Sequence, residues 1–82
     1  MRVTVRYFAA ARAAAGTDAA VIDLPAGATL ANLVDELQSH CAGLEQVLAR
    51  CSYLCDGIAV RDREMPLGEG QTIDVLPPFS GG

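Results

Sequence analysis

One apolar stripe limits the folds open to this chain. Leu30, Leu33, Val34, Leu37 and Cys41 recur at i, i+3, i+4, i+7 and i+11, the spacing of a single buried face on an α-helix. Asn32, Asp35, Glu36 and Ser39 fall on the other, solvated side. Thr29 stands where an N-cap hydroxyl accepts a free backbone N–H, and Gly43 stands where such a helix ends. A helix with one apolar face needs one apolar sheet face to cover it, and the segments around it alternate with the period of strands. From Arg2 to Phe8, Val3, Val5 and Tyr7 point one way and Arg2, Thr4, Arg6 and Phe8 the other. Ala20 to Leu24 reads as a second strand closed by Pro25-Ala26-Gly27, and Thr72 to Leu76 as a last strand delivered by the turn Pro66 to Gly70. Ser52 to Cys55 meets Ile58 to Val60 across Asp56-Gly57, a strong hairpin signal because both central residues must take positive φ. Ala9 to Ala15, closed by Gly16, predicts a short helix, and Leu44, Val47 and Leu48 predict a further helical turn.

The order strand, strand, helix, hairpin, strand predicts an α+β fold of the β-grasp, or ubiquitin-like, kind. One main helix crosses a mixed sheet of about four or five strands, with the first and last strands parallel at its centre. Residues 1–76 form this domain and residues 77–82 a flexible C-terminal tail. In a chain of 82 residues, 51% of them hydrophobic, a real core is expected with a thin margin of stability. The net charge of -4 and the lack of a basic cluster exclude a nucleic-acid-binding surface. No apolar run is long enough to span a bilayer, and alternation directly after Arg2 is unlike a signal peptide, so a cytoplasmic protein is expected.

Cys41, Cys51 and Cys55 are odd in number and suit reduced thiols. With His40 they number four conceivable zinc ligands. However, neighbours on a helix diverge by about 100° and no Cys-x-x-Cys spacing occurs, so no metal site is expected and the cysteines read as small buried hydrophobes. All six basic residues are arginine. Codon bias in an Ala- and Arg-rich genome accounts for this usage more readily than selection does. Under either cause, an activated C-terminus has no ε-amine on its own kind to acylate.

Pro77-Pro78 has no backbone N–H to give a sheet and fixes φ, so the ladder is expected to stop there and eject a tail of set direction. Gly81-Gly82, lacking Cβ atoms, can lie extended in a channel too narrow for side chains and present its carboxylate inside another protein, although terminal glycines also arise by chance. Phe8, Leu76 and Phe79 are candidates for an exposed apolar docking surface, with Phe8 and Leu76 equally able to finish a secondary core. The run Arg61-Asp62-Arg63-Glu64 reads as a solvated edge or turn.

The segment Tyr7-Phe8-Ala9-Ala10-Ala11-Arg12 with Gly16, and the close from Pro66-Leu67 through Pro77-Pro78 to Gly81-Gly82, resemble the two ends of the molybdopterin synthase small subunits, the MoaD/ThiS-like sulfur carriers. Thiamine-type carriers share the fold and the diglycine but usually lack the Phe-Ala…Arg segment. The chain departs at Cys55-Asp56-Gly57, where the family more often has Asn at or before the turn; Asp forms the same turn. The resemblance implies a protein with no bound cofactor and no catalytic side chains of its own. An adenylating, ubiquitin-activating-like enzyme would use ATP to convert the Gly82 carboxylate into an acyl-adenylate, and a persulfide donor would then leave a thiocarboxylate. Inside the large subunit of molybdopterin synthase this group would donate sulfur to cyclic pyranopterin monophosphate during molybdenum cofactor biosynthesis. Gly81, Pro77, Pro78, Phe79, Leu76 and Phe8 would then serve the tail and its docking, and Arg12, matching the family's arginine, would meet an acid or phosphate of the partner or else remain a solvated helix residue. The alternatives are a carrier for cysteine or thiamine synthesis, and a ubiquitin-like modifier or interaction module.

Overall fold

The last strand lies in the middle of the sheet. In chain order the elements are β1 (Arg2–Tyr7), α1 (Ala9–Ala15), β2 (Ala19–Asp23), α2 (Leu30–His40), α3 (Leu44–Leu48), β3 (Ser52–Cys55), β4 (Ile58–Ala59) and β5 (Thr72–Leu76). The computed structural model describes residues 1–40 and 43–78. The strands are ordered β2-β1-β5-β3-β4. β1 and β5 run parallel, with Val5 opposite Ile73 and Tyr7 opposite Val75, and every other pairing is antiparallel. This is the β-grasp arrangement that the order of elements predicts, with five strands.

The core forms because two periods meet. The period-two residues Val3, Val5, Tyr7, Tyr53, Ile73 and Val75 are buried on one sheet face, and the α2 stripe Leu30, Leu33, Val34 and Leu37 is buried with them, joined by Leu44 and Leu48 of α3. Fully burying one such side chain contributes about 1.5–3 kcal/mol against conformational entropy. Cys51 and Cys55 belong to the same cluster, as expected of small hydrophobes; Cys41 lies outside the described residues.

Local chemistry sets the ends. The N–H of Gly16, at φ 76, donates to the Arg12 carbonyl at 2.9 Å and stops α1. Thr29 Oγ1 accepts from the Asn32 N–H at 3.2 Å while Asn32 Oδ1 accepts from the Thr29 N–H at 2.9 Å, a reciprocal cap of which only the threonine half is foreseeable. Two further N–H groups at the start of α2 are met from far along the chain. Leu30 donates to the Met65 carbonyl at 3.1 Å and Ala31 to the Arg63 carbonyl at 2.8 Å. The charged run 61–64 is therefore exposed in its side chains, as expected, while its backbone caps the main helix. Gly43, at φ 88, sits at the N-cap of α3.

Asp56 and Gly57 take φ 48 and 84, the two positive values that the hairpin demands. Asp56 also receives a bond on Oδ1 from the Thr72 N–H at 2.9 Å and donates its own N–H to the Thr72 carbonyl at 2.8 Å, which ties the turn to the first residue of β5. Boundaries differ from expectation by a residue. β1 stops at Tyr7 because Phe8 becomes the N-cap of α1, β2 covers Ala19–Asp23, and Val60 follows β4 but still donates to the Tyr53 carbonyl. Among the described residues, no helix is long and apolar enough to cross a membrane.

Candidate functional site

β5 leaves the sheet between two surfaces. On the outer face, away from α2, alternation brings Arg6 of β1 opposite Asp74 of β5. Their side chains form a two-pronged ion pair, Nε to Oδ1 at 2.6 Å and Nη2 to Oδ2 at 2.8 Å. Asp74 is the one charged residue buried among the described residues, and the pair with Arg6 accounts for it: a buried carboxylate needs a hydrogen-bonded cation. The contact raises the Arg6 guanidinium above its ordinary value, first through the hydrogen bonds to Asp74 and then through its charge. The same guanidinium lies 5.6 Å from the centre of the Phe8 ring.

Phe8 is exposed at 39%, and its N–H donates to the Val75 carbonyl at 3.3 Å. That bond carries the parallel register one step past Tyr7–Val75, so Phe8 comes beside Leu76 on the outer face. Leu76 is half-buried, and neither residue joins the core cluster. The outer face at the exit of β5 thus presents an aromatic ring and a leucine around a neutralised ion pair. Phe79 lies outside the described residues, as do Gly81 and Gly82.

The second surface is a groove of about 620 Å³ where α1 and α3 pack side by side. Ala10, Val47 and Ala49 supply apolar lining, Gln46 and Arg50 polar lining, and Pro77 with Pro78 the wall along which the chain leaves β5. Pro77 is half-buried and Pro78 exposed. The two prolines follow the last strand directly, as expected of residues that cannot continue the ladder. Arg12, exposed on α1 with Nη1 3.5 Å from Oδ1 of Asp18, lines a pocket of about 310 Å³ together with Arg6 and Phe8 of the outer face.

Besides the burial of Leu44 and Leu48, one buried hydrogen bond ties α3 to β3. The Tyr53 hydroxyl on β3 donates to the Leu48 carbonyl at 3.0 Å, and burial pushes the phenol up to about 12. Arg63 covers the ring at 5.1 Å. Burial likewise raises the thiols of Cys51 and Cys55, which disfavours the reactive thiolate. Among the described residues, no group of three or more His, Cys, Asp or Glu side chains is arranged to hold a metal ion.

The model of the ThiS family matches residues 5–82. The chain belongs to the ThiS family. Among ThiS-family relatives it is 29% identical, over the full length of both chains, to the molybdopterin synthase sulfur carrier subunit of Chlamydomonas reinhardtii. It superposes with a TM-score of 0.88 on the putative molybdopterin converting factor subunit 1 of Pyrococcus furiosus, at 28% identity over 96% of this chain and 99% of that one. With one chain of the protein-protein complex of subunit 1 and 2 of molybdopterin-converting factor from Helicobacter pylori, the TM-score is 0.74 at 26% identity, over all of this chain and all of that one. The small archaeal modifier protein 1 of Methanosarcina acetivorans gives 0.85 at 26% identity, over 99% of this chain and 96% of that one. The ThiS-family assignment and the β-grasp topology therefore agree.

The sequence picks out Phe8, Leu76, Pro77 and Pro78, and the structure gathers them around the exit of β5. It misses Arg6, Asp74 and Arg50. The signal for the first two was the outward phase of both alternating strands, which becomes a contact only once β1 and β5 are paired.

Proposed function

We propose that this ThiS-family chain is the sulfur carrier subunit of molybdopterin synthase and that the carboxylate of Gly82 is the group that carries sulfur. The observation behind this reading is the full-length likeness to a molybdopterin synthase sulfur carrier subunit. The position of β5 supports it: the strand preceding the tail is the central one, hydrogen-bonded on both sides and followed at once by two prolines. A tail mounted there leaves from the stiffest part of the sheet, so its direction is set before it meets a partner.

The chemistry follows from the weakness of a carboxylate as an electrophile. ATP, used by an activating enzyme, makes the Gly82 acyl-adenylate and releases pyrophosphate. The terminal sulfur of a persulfide attacks the acyl carbon and AMP departs; a thiol then cleaves the sulfur–sulfur bond of the acyl disulfide, leaving a thiocarboxylate. That anion is a soft nucleophile which attacks cyclic pyranopterin monophosphate inside the large subunit, where the catalytic side chains lie. The Helicobacter complex of subunits 1 and 2 is the precedent for such a partner. Phe8, Leu76 and Phe79 form the apolar docking surface in this reading, and Pro77, Pro78 and Gly81 deliver Gly82.

The test is reconstitution with an activating enzyme, ATP and a persulfide source, followed by fragment-ion mass spectrometry of the C-terminal peptide after alkylation. Sulfur on Gly82, and pterin conversion when the large subunit is added, are expected. The likeness to a small archaeal modifier protein favours a second reading, attachment of Gly82 to lysines of other proteins. Isopeptide-linked adducts with an oxygen-bearing Gly82 and no pterin conversion would decide for it.

A further inference from the structure

The groove between α1 and α3 contains a cation with no partner among the described residues. Arg2, Arg6 and Arg12 are paired with Asp23, Asp74 and Asp18, and Arg63 lies on the Tyr53 ring. Among the described residues, the side chains of Arg50 and Arg61 have no hydrogen bond, ion pair or ring contact. Arg61 lies in the exposed run after β4, whereas Arg50 lines the same groove as Pro77 and Pro78. On a chain of net charge -4, an unpaired guanidinium at the root of the tail is conspicuous. A guanidinium supplies up to five N–H donors in a planar fork that fits a carboxylate. Beside it the apolar lining of Ala10, Val47 and Ala49 suits a small or branched aliphatic side chain, and about 620 Å³ accommodates both groups.

A protein that receives the four residues beyond Pro78 comes close to Pro77 and Pro78, which line this groove. We infer that the groove is a second docking point for the large subunit, taking from it a surface segment in which an aliphatic residue stands next to a carboxylate, with Arg50 pairing the carboxylate. This rests on the reading of the chain as the sulfur-donating subunit. Its function is register. The outer face around Phe8 is apolar and tolerates sliding, whereas one fork-to-carboxylate pair on the other side of the exit fixes how far and at what angle the tail enters. A charge at such a rim acts mainly on association rate and salt dependence.

The test measures binding of the purified chain to its large subunit at several salt concentrations, together with steady-state pterin conversion by the thiocarboxylated form. Arg50→Glu is expected to raise Kd about tenfold, to lower the association rate, and to flatten the salt dependence. Because the pair sets how the tail enters, conversion at saturating carrier should fall as well, so that KM rises and kcat drops together. Arg50→Ala should give a smaller rise, and Arg50→Lys should recover part of it. Arg61→Glu makes the same charge change away from the groove and should bind as the wild type does. Because Arg50 is exposed and has no partner among the described residues, circular dichroism and thermal melting should be unaltered in every variant.

Wild-type affinity and salt dependence in Arg50→Glu would overturn the inference while leaving the carrier reading in place. So would an equal loss in Arg61→Glu, which would show a diffuse charge effect, or a loss of adenylation with large-subunit affinity intact, which would give the groove to the activating enzyme. A wild-type chain that accepts sulfur but binds no large subunit would instead overturn the carrier assignment itself.

Discussion

Replacing Tyr53 with Phe tests how the wall of the tail groove is held. The ring is buried on β3, opposite Val75 of the central strand, and its hydroxyl reaches the Leu48 carbonyl at the end of α3. Phenylalanine keeps the ring and removes that one bond. The Leu48 carbonyl still accepts from the Cys51 N–H at 3.2 Å, so it is not left orphaned, and the loss should be that of one net hydrogen bond, about 1 kcal/mol. For a domain of this size the melting temperature should fall by about 4–8 °C.

The two proteins should also differ in their response to alkali, because only the wild type carries the Tyr53 phenol. The phenol is raised in the folded chain to about 12, from 10. A group raised in this way contributes its full stability below the unfolded value and loses it as pH climbs through the folded one, so the wild type should weaken between about pH 10 and 12. The loss approaches a few kcal/mol once the phenol is ionised in the folded chain, and is about half complete midway through the interval. That exceeds the advantage of the hydroxyl at neutral pH, so the stability curves of wild type and Tyr53→Phe should cross between about pH 10 and 12. Urea unfolding at neutral pH and at steps through this range measures both curves, and the difference between their tyrosinate absorbance titrations isolates Tyr53 from Tyr7. Equal stability at neutral pH, or a constant gap through the alkaline range, would refute the buried, hydrogen-bonded phenol.

Leu37→Ala, at a position 1% exposed, should cost about 2–5 kcal/mol in urea unfolding and leave the tail chemistry of whatever fraction stays folded intact. Gly57→Ala places a Cβ at φ 84 with no atom nearby to clash, so backbone strain alone should destabilise the chain by about 1 kcal/mol, measurable as a lower melting temperature. Phe8→Ala should weaken binding to the large subunit in a titration calorimeter without a comparable loss of stability, since the ring stands outside the core cluster. Deleting Gly82 should abolish sulfur transfer while docking persists; pterin conversion by the deletion variant would refute the carrier reading.

Much of this protein is legible one segment at a time, because periodicity and turn chemistry are local properties. The α2 stripe, the alternation of β1 and β5, the left-handed Gly16, and the positive φ values of Asp56-Gly57 each follow from residues within a turn or two of one another. Their order along the chain suffices for the β-grasp, since few layer arrangements bury one helix stripe against one sheet face. Pro77-Pro78 marks the end of the ladder for the same local reason. What the sequence could not supply are relations between segments whose separation carries no signal. Arg6 and Asp74 are 68 residues apart and become partners only through the β1–β5 register. The carbonyls of Arg63 and Met65 reach the start of α2 only because the segment after β4 crosses it. Arg50 and Pro77 line one groove only because α3 packs beside α1 near the end of the central strand. Each of these is a choice of which surfaces face one another, made by the packing of the whole core, and no local rule encodes it.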